Sequence, residues 1–348
     1  MNYQNKLVFS SGVSTDFDIW SLDLVSNDII QLTRGNDYND YPQWSPDGSK
    51  IAFVKIILGQ APALYCMNAD GSECNKLLDN TLCQSPSWSP DGKSLIFIGN
   101  YGNPNSLDIY RLEIDKGVPE KILSYDGQES TPTFSPDGKY LLFSVVHKTD
   151  SNITQSDIVE YGLYEKSSRV ICSHLAHDYY PRYSPDGKKI AFVSHRNNTS
   201  DVEFKEKYNK FKEIIVNGDS RDARQALQEI RKLEEDGDLY LVDRDGQNLE
   251  ALTSDRHFDK SFTWSPCGKF ILFCSSSRGS QHTDRFKLYD IENKKISNFN
   301  YDRSQLEREI GSLDALNLSI YQRLIPDVIE KLFIDQSFFG TERHPHWI

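Results

Sequence analysis

Short apolar runs alternate with polar turns along most of this chain, and the alternation repeats. Lys189-Ile-Ala-Phe-Val-Ser194 and Asp238-Leu-Tyr-Leu-Val-Asp243 read as strands, and an Asp-Gly turn and a run ending in Leu-Thr follow the second. Alternation at every second residue turns one face of a strand inward and the other to water. Asp-Gly between such runs signals a hairpin, because Gly accepts positive φ and the Asp side chain caps the turn. Ahead of each set stands one motif: Pro42-Gln-Trp44-Ser-Pro-Asp-Gly48, Pro86-Ser-Trp88-Ser-Pro-Asp-Gly92, Pro132-Thr-Phe134-Ser-Pro-Asp-Gly138, Pro181-Arg-Tyr183-Ser-Pro-Asp-Gly187 and Phe262-Thr-Trp264-Ser-Pro-Cys-Gly268. The pattern predicts four strands per unit.

Such units cannot bury their apolar faces alone and must stack. A further copy starts at Pro345-His-Trp347 and stops at Ile348, while Lys6–Ser10, Asp18–Leu24 and Ile29–Thr33 match second, third and fourth strands at the other terminus. The expectation is an all-β, six-bladed β-propeller forming a single domain over residues 1–348. Pairing of the C-terminal strand with the N-terminal strands closes it, and closure leaves only short edges.

Two segments depart from the strand period. Over about 201–236, Phe204, Tyr208, Phe211 and Ile215 fall at helical spacing. Asn217-Gly-Asp-Ser220 interrupts, and Ala223, Leu227, Ile230 and Leu233 resume the stripe. Over about 302–336, Leu313, Leu316, Ile320 and Leu324 line a second stripe, with Pro326 opening a helix through Ile329 and Phe333. Connections alternate between the ends of an up-and-down sheet, so both helical inserts are expected on one face. There they either pack on the ring or form a lid or docking surface.

The same face receives the residues five positions before each anchor aromatic: Asn39, Cys83, Glu129, Asp178, Asp259 and Glu342. Two positions further on come Tyr41, Ser85, Thr131, Tyr180, Ser261 and His344. Glu129, Asp178, Tyr180, Asp259 and Glu342 are the candidate ligand-binding residues at the channel mouth, where acids would hold a cation or a basic peptide. The competing structural role is to accept backbone N–H bonds and hold the inter-blade turns shut. His344 and His346 alternate on one strand, and with His257 they form the candidate set for a divalent metal; His174 and His177 lie near other strand starts. No Gly-x-Ser-x-Gly elbow or His-Glu-x-x-His occurs, and Gly92-Lys93-Ser94 lacks the first glycine of a phosphate loop.

Charge narrows the partners. Lys and Arg number 39 against 51 Asp and Glu, a net charge of −12, which argues against a nucleic-acid binder. The six cysteines form no Cys-x-x-Cys pair and read as reduced. No membrane span is expected. The N-terminal residues run into a strand without a charged-then-apolar leader, so the expected location is cytoplasmic, or periplasmic if a leader has been removed.

The run Pro-x-Trp-Ser-Pro-Asp-Gly-Lys-x-Ile-Ala-Phe resembles the repeat of TolB-type six-bladed propellers. The resemblance implies a platform that also occurs in prolyl-oligopeptidase-like peptidases and oligogalacturonate lyases. The function read here is a non-enzymatic protein-binding or scaffolding propeller that meets a protein partner with the helical-insert face. The alternative is a metal-dependent enzyme: His344-Pro-His346 resembles a metal-binding segment of the oligogalacturonate lyases.

Overall fold

A computed structural model of the chain describes residues 6–298 apart from 14–15, 24–25, 27, 36, 79–81, 102–105, 126, 149–153, 197–198, 219–220, 227–236, 255–256, 266 and 278–284. The architecture is a succession of antiparallel units. The first has β1 (Lys6–Val13), β2 (Asp16–Asp23) and β3 (Ile29–Gln31). The second has β4 (Tyr38–Trp44), β5 (Lys50–Ile56), β6 (Ala63–Asn68) and β7 (Asn75–Lys76), and the third β8 (Cys83–Trp88), β9 (Ser94–Gly99), β10 (Asp108–Glu113) and β11 (Pro119–Leu123). The fourth has β12 (Gln128–Phe134), β13 (Tyr140–Lys148), β14 (Thr154–Gly162) and β15 (Ser167–Cys172). The fifth has β16 (Asp178–Tyr183), β17 (Lys189–Ser194), helix α1 (Asp201–Asn217), β18 (Asp238–Asp243) and β19 (Glu250–Ala251). The last has β20 (His257–Trp264), β21 (Phe270–Ser277), β22 (Arg285–Asp290) and β23 (Lys295–Asn298).

Four of these units are separate four-stranded sheets, as the repeat predicts. The first two are instead joined in one seven-stranded sheet through a parallel bridge between Phe17 and Tyr38. Glu342, His344, His346 and the rest of the expected closing strand and second insert lie outside the described residues.

The motif builds both the turn and the contact between units. Ser45 Oγ donates to Asp47 Oδ1 at 2.6 Å and accepts from Lys50 N, while Ser49 N donates to the same carboxylate. These bonds, led by Ser45, hold the Asp47 carboxyl down at about 2. The network recurs at Ser89–Asp91, Ser135–Asp137 and Ser184–Asp186. A Cβ added to Gly92, Gly138, Gly187 or Gly268 would lie 3.5–3.7 Å from the Pro of the preceding turn, so successive motifs stack.

β5, β9, β13, β17 and β21 each bury one phenylalanine, Phe53, Phe97, Phe143, Phe192 and Phe273, and β1 buries Phe9. Clusters around them span neighbouring units, and one joins Phe9, Trp20, Leu22 and Ile29 of the first unit to Phe286 of the last. Adjoining strands give the units their close approach elsewhere too. Gly71 has φ +87°, and an added Cβ would sit 2.7 Å from the Leu32 carbonyl oxygen. Gly71→Ala is therefore expected to cost roughly 1–2 kcal/mol, read as a lower urea midpoint at unchanged slope.

Helix α1 leaves the connection between β17 and β18. Ser200 and Glu203 form a reciprocal capping box, and Gly218 N closes the end on the Ile214 carbonyl. Phe204 is buried against the His174 ring at 5.7 Å and stacks with Tyr208, whereas Tyr208, Phe211 and Ile215 are only half-buried. A further helical turn covers 221–226.

Candidate binding site at the insert end

Each lead strand, the first of its unit from β4 onward, breaks register at the same place. The shift falls between Asp40 and Gln43, Gln84 and Ser87, Ser130 and Thr133, Tyr179 and Arg182, and Lys260 and Phe262. At each break one residue other than glycine takes positive φ: Tyr41 at 54°, Ser85 at 49°, Thr131 at 49°, Tyr180 at 55° and Ser261 at 42°. This conformation is uncommon for such residues, and the packed bulge that imposes it re-aims the side chains around it.

The residues just before these bulges are deeply buried. Glu129 accepts a hydrogen bond from Tyr125 N in the turn between units, and burial pushes its carboxyl up to about 7. Asp178 is held by Arg196, whose Nη2 donates to Oδ2 at 2.6 Å, and its backbone is clasped by Ser156 Oγ. Burial raises the Asp178 carboxyl against the pull of Arg196, and Arg196 also donates to Ser194 and Cys172. Asp259 is fully buried, and its N–H donates to the Gly237 carbonyl. Asn39 donates to the Phe17 carbonyl and to Asp18. Tyr180 is half-buried, and burial followed by the charge of Asp40 raises its phenol above the ordinary range. His257 begins β20, paired with Ser277. The sequence-based set is therefore spread over separate units, with Tyr180 and Asp40 brought within electrostatic reach.

Asp40 and Arg196 escaped the reading of the repeat. Asp40 stands four residues before its anchor, where the other units carry Gln84, Ser130, Tyr179 and Lys260. Its one signal in the sequence is this departure from its counterparts. It lines a small notch between the second and third units with Tyr38, Tyr41, Val54, Ile56, Pro62 and Gln84, whose space is about 10 Å³, room for about one water. Asp40 is 8% exposed. Its Oδ1 accepts from Ser10 Oγ at 2.6 Å and Tyr41 N at 2.7 Å, and its Oδ2 accepts from the Tyr38 hydroxyl at 3.4 Å. Burial pushes this carboxyl up to about 6 despite those three donors.

Among the described residues no group of three His, Cys, Asp or Glu is placed to hold a metal ion. No helix among them is long and apolar enough to cross a membrane.

Successive four-stranded antiparallel units of this kind define a β-propeller. Residues 3–158 and 79–221 match the family model of the TolB beta propeller domain, and the chain belongs to that family. It is 30% identical over 193 residues to the Tol-Pal system protein TolB of Francisella tularensis, covering 54% of this chain and 42% of that protein. It is 26% identical over 175 residues to the uncharacterized peptidase YuxL of Bacillus subtilis, covering 40% and 26%. These matches span from a quarter to under half of the curated relatives' length. The crystal structure of TolB from Acinetobacter baumannii superposes with a TM-score of 0.64 at 17% identity, covering 85% of this chain and 63% of that one. The cytoplasmic placement expected above draws no support from these relatives.

Proposed function

We propose that the chain is a non-enzymatic protein-binding propeller of six blades that meets its partner with the insert end. Support for closure comes from Phe9 packing edge-on against Phe286 at 5.9 Å. It comes also from the field of Asp40, in the second unit, at Tyr180 in the fifth. In this reading Pro345–Ile348 supplies the lead strand beside β1. Tyr180 lies at the mouth, and Glu129, Asp178 and Asp259 shape it from behind.

The observation that carries the choice of face is the character of its loops. Residues 57–62 and 100–107 contain no charged residue, and Leu58 is 81% and Tyr101 42% exposed. The opposite end also exposes Val118, Tyr164 and Leu249, but those sit among Asp115, Lys116, Glu165, Lys166 and Asp245. Uncharged apolar surface with a polar rim is the composition of an interface centre. The Tol-Pal system name of the Francisella relative supports a protein partner.

The test is cross-linked capture by the full chain. Leu58→Asp with Tyr101→Asp is expected to weaken capture by at least about tenfold, equivalent to 1.4 kcal/mol, while Tyr164→Asp on the opposite end leaves it intact. Equal capture by all three proteins would overturn the choice of face.

A further inference from the structure

Immediately before the anchor aromatic, the described lead strands carry Gln43, Ser87, Thr133, Arg182 and Thr263, each paired with the third residue of the strand behind it. Arg182 is the one cation in this series, and no acid stands in it. Its strand, β16, pairs with β17 on one side only, and β4, β8, β12 and β16 pack one after another. Arg182 therefore lies on an inner strand, beside the channel around which propeller blades are set.

Two donors on this strand are unengaged. Among the described residues no hydrogen bond or ion pair holds the Arg182 guanidinium, and no hydrogen bond holds the Tyr180 hydroxyl two residues before it. Both side chains are half-buried, neither polar end is shut away from solvent, and the two groups lie within electrostatic reach of each other. Burial pulls Arg182 below the usual arginine value, and no carboxylate acts on it among the described residues. Burial, followed by the charge of Asp40, keeps the Tyr180 phenol protonated and able to donate. The acids four residues before this level are engaged elsewhere, Asp178 by Arg196 and Glu129 by Tyr125 N.

We infer that Arg182 and Tyr180 bind a carboxylate group at the channel, with both its oxygens on the guanidinium fork and one of them also on the phenol. The planar fork matches a carboxylate, and a single positive charge with acids four residues away suits a monoanion better than a dianion such as phosphate. The group replaces water at donors already open to solvent, so no packed wall has to move. It arrives either on a small molecule or on the chain of a partner, with the same chemistry at Arg182. The site depends on the propeller fold and not on which end meets a partner.

The test follows the Arg182 Nε–H signal by NMR in the full chain, nitrogen-15-labelled at arginine, during titration with sodium acetate at constant ionic strength. Acetate is expected to shift that signal saturably, while acetamide and chloride leave it in place. Arg182→Gln puts at this level the residue type that the second unit carries at Gln43, and it assigns the signal. It should also lose at least about tenfold in acetate affinity, read from the line width of carbon-13-labelled acetate. Tyr180→Phe should weaken binding by about three- to tenfold. An equal shift with acetamide or chloride, acetate affinity that survives Arg182→Gln, or no saturable shift would overturn the inference.

The capture assay identifies the source once acetate binds. Loss of capture in Arg182→Gln assigns the carboxylate to the partner, retained capture assigns it to a small molecule, and both keep the site. The titration needs no partner, so its failure leaves the protein-binding reading standing. Equal capture by Leu58→Asp with Tyr101→Asp would remove the face and leave the carboxylate site in place.

Discussion

Asp40→Asn is expected to raise the unfolding free energy at pH 7.5 by roughly 3 kcal/mol while it empties the notch of its charge. Burial holds the Asp40 carboxyl at about 6, against an ordinary value of 3.8. A group whose folded value is raised contributes stability that is complete below its unfolded value and lost as pH rises through the folded one. For Asp40 that window runs from 3.8 to about 6, so at neutral pH the folded state carries the full cost of a buried charge. Asparagine keeps an oxygen to accept from Ser10 Oγ and Tyr41 N and removes the charge.

The same sign holds for Glu129, whose window runs from 4.5 to about 7. Chemical denaturation across pH 4 to 8 checks the argument. Wild type should lose stability as pH rises through this range, and Asp40→Asn should flatten the lower part of the slope. An Asp40→Asn protein no more stable than wild type at pH 7.5 would mean that the carboxylate is well solvated, and the notch would lose its physical interest.

The units were legible because each carries the same turn chemistry. Ser45, Asp47 and Gly48 do the same work as Ser89, Asp91 and Gly92, so one hairpin explains the rest. Helix α1 was legible from Phe204 and Tyr208 and from the break at Asn217-Gly-Asp-Ser220, where the helix ends. The site was not legible, for two reasons. Counting by twos along a strand presumes an unbroken pleat, and the bulge at Tyr41 breaks it, so that the adjacent Asp40 and Tyr41 both line the notch. Reading a repeat also favours what recurs. Glu129, Asp178 and Asp259 were conspicuous as a series, and they are buried beside turns or, for Asp178, against Arg196. Asp40 occurs once, and Arg196 lies just past β17, outside the strand pattern that directed attention.

The last unit tests whether the array returns to its beginning. Phe286 is 2% exposed, and it packs on Phe9, Trp20, Leu22 and Ile29, residues separated from it by most of the chain. Phe286→Ala is expected to cost roughly 3–5 kcal/mol, the range for truncating a buried phenylalanine. The location of the loss is more informative than its size. In an open array each unit answers to its sequence neighbours, so damage in β22 would loosen β21, β23 and the unit before them and leave β1–β3 protected. In a closed ring β1–β3 lose their outer neighbour, and amide exchange in Leu7–Ser10 and Ile19–Leu22 should accelerate along with that in β22. A double-mutant cycle with Phe9→Ala should return a coupling of about 0.5–1.5 kcal/mol for the edge-on pair. Additive single mutants with unchanged protection in β1–β3 would make the contact incidental and the array open. Coupled losses would make Phe9 and Phe286 the packing half of the closure, with Pro345–Ile348 left to supply the strand.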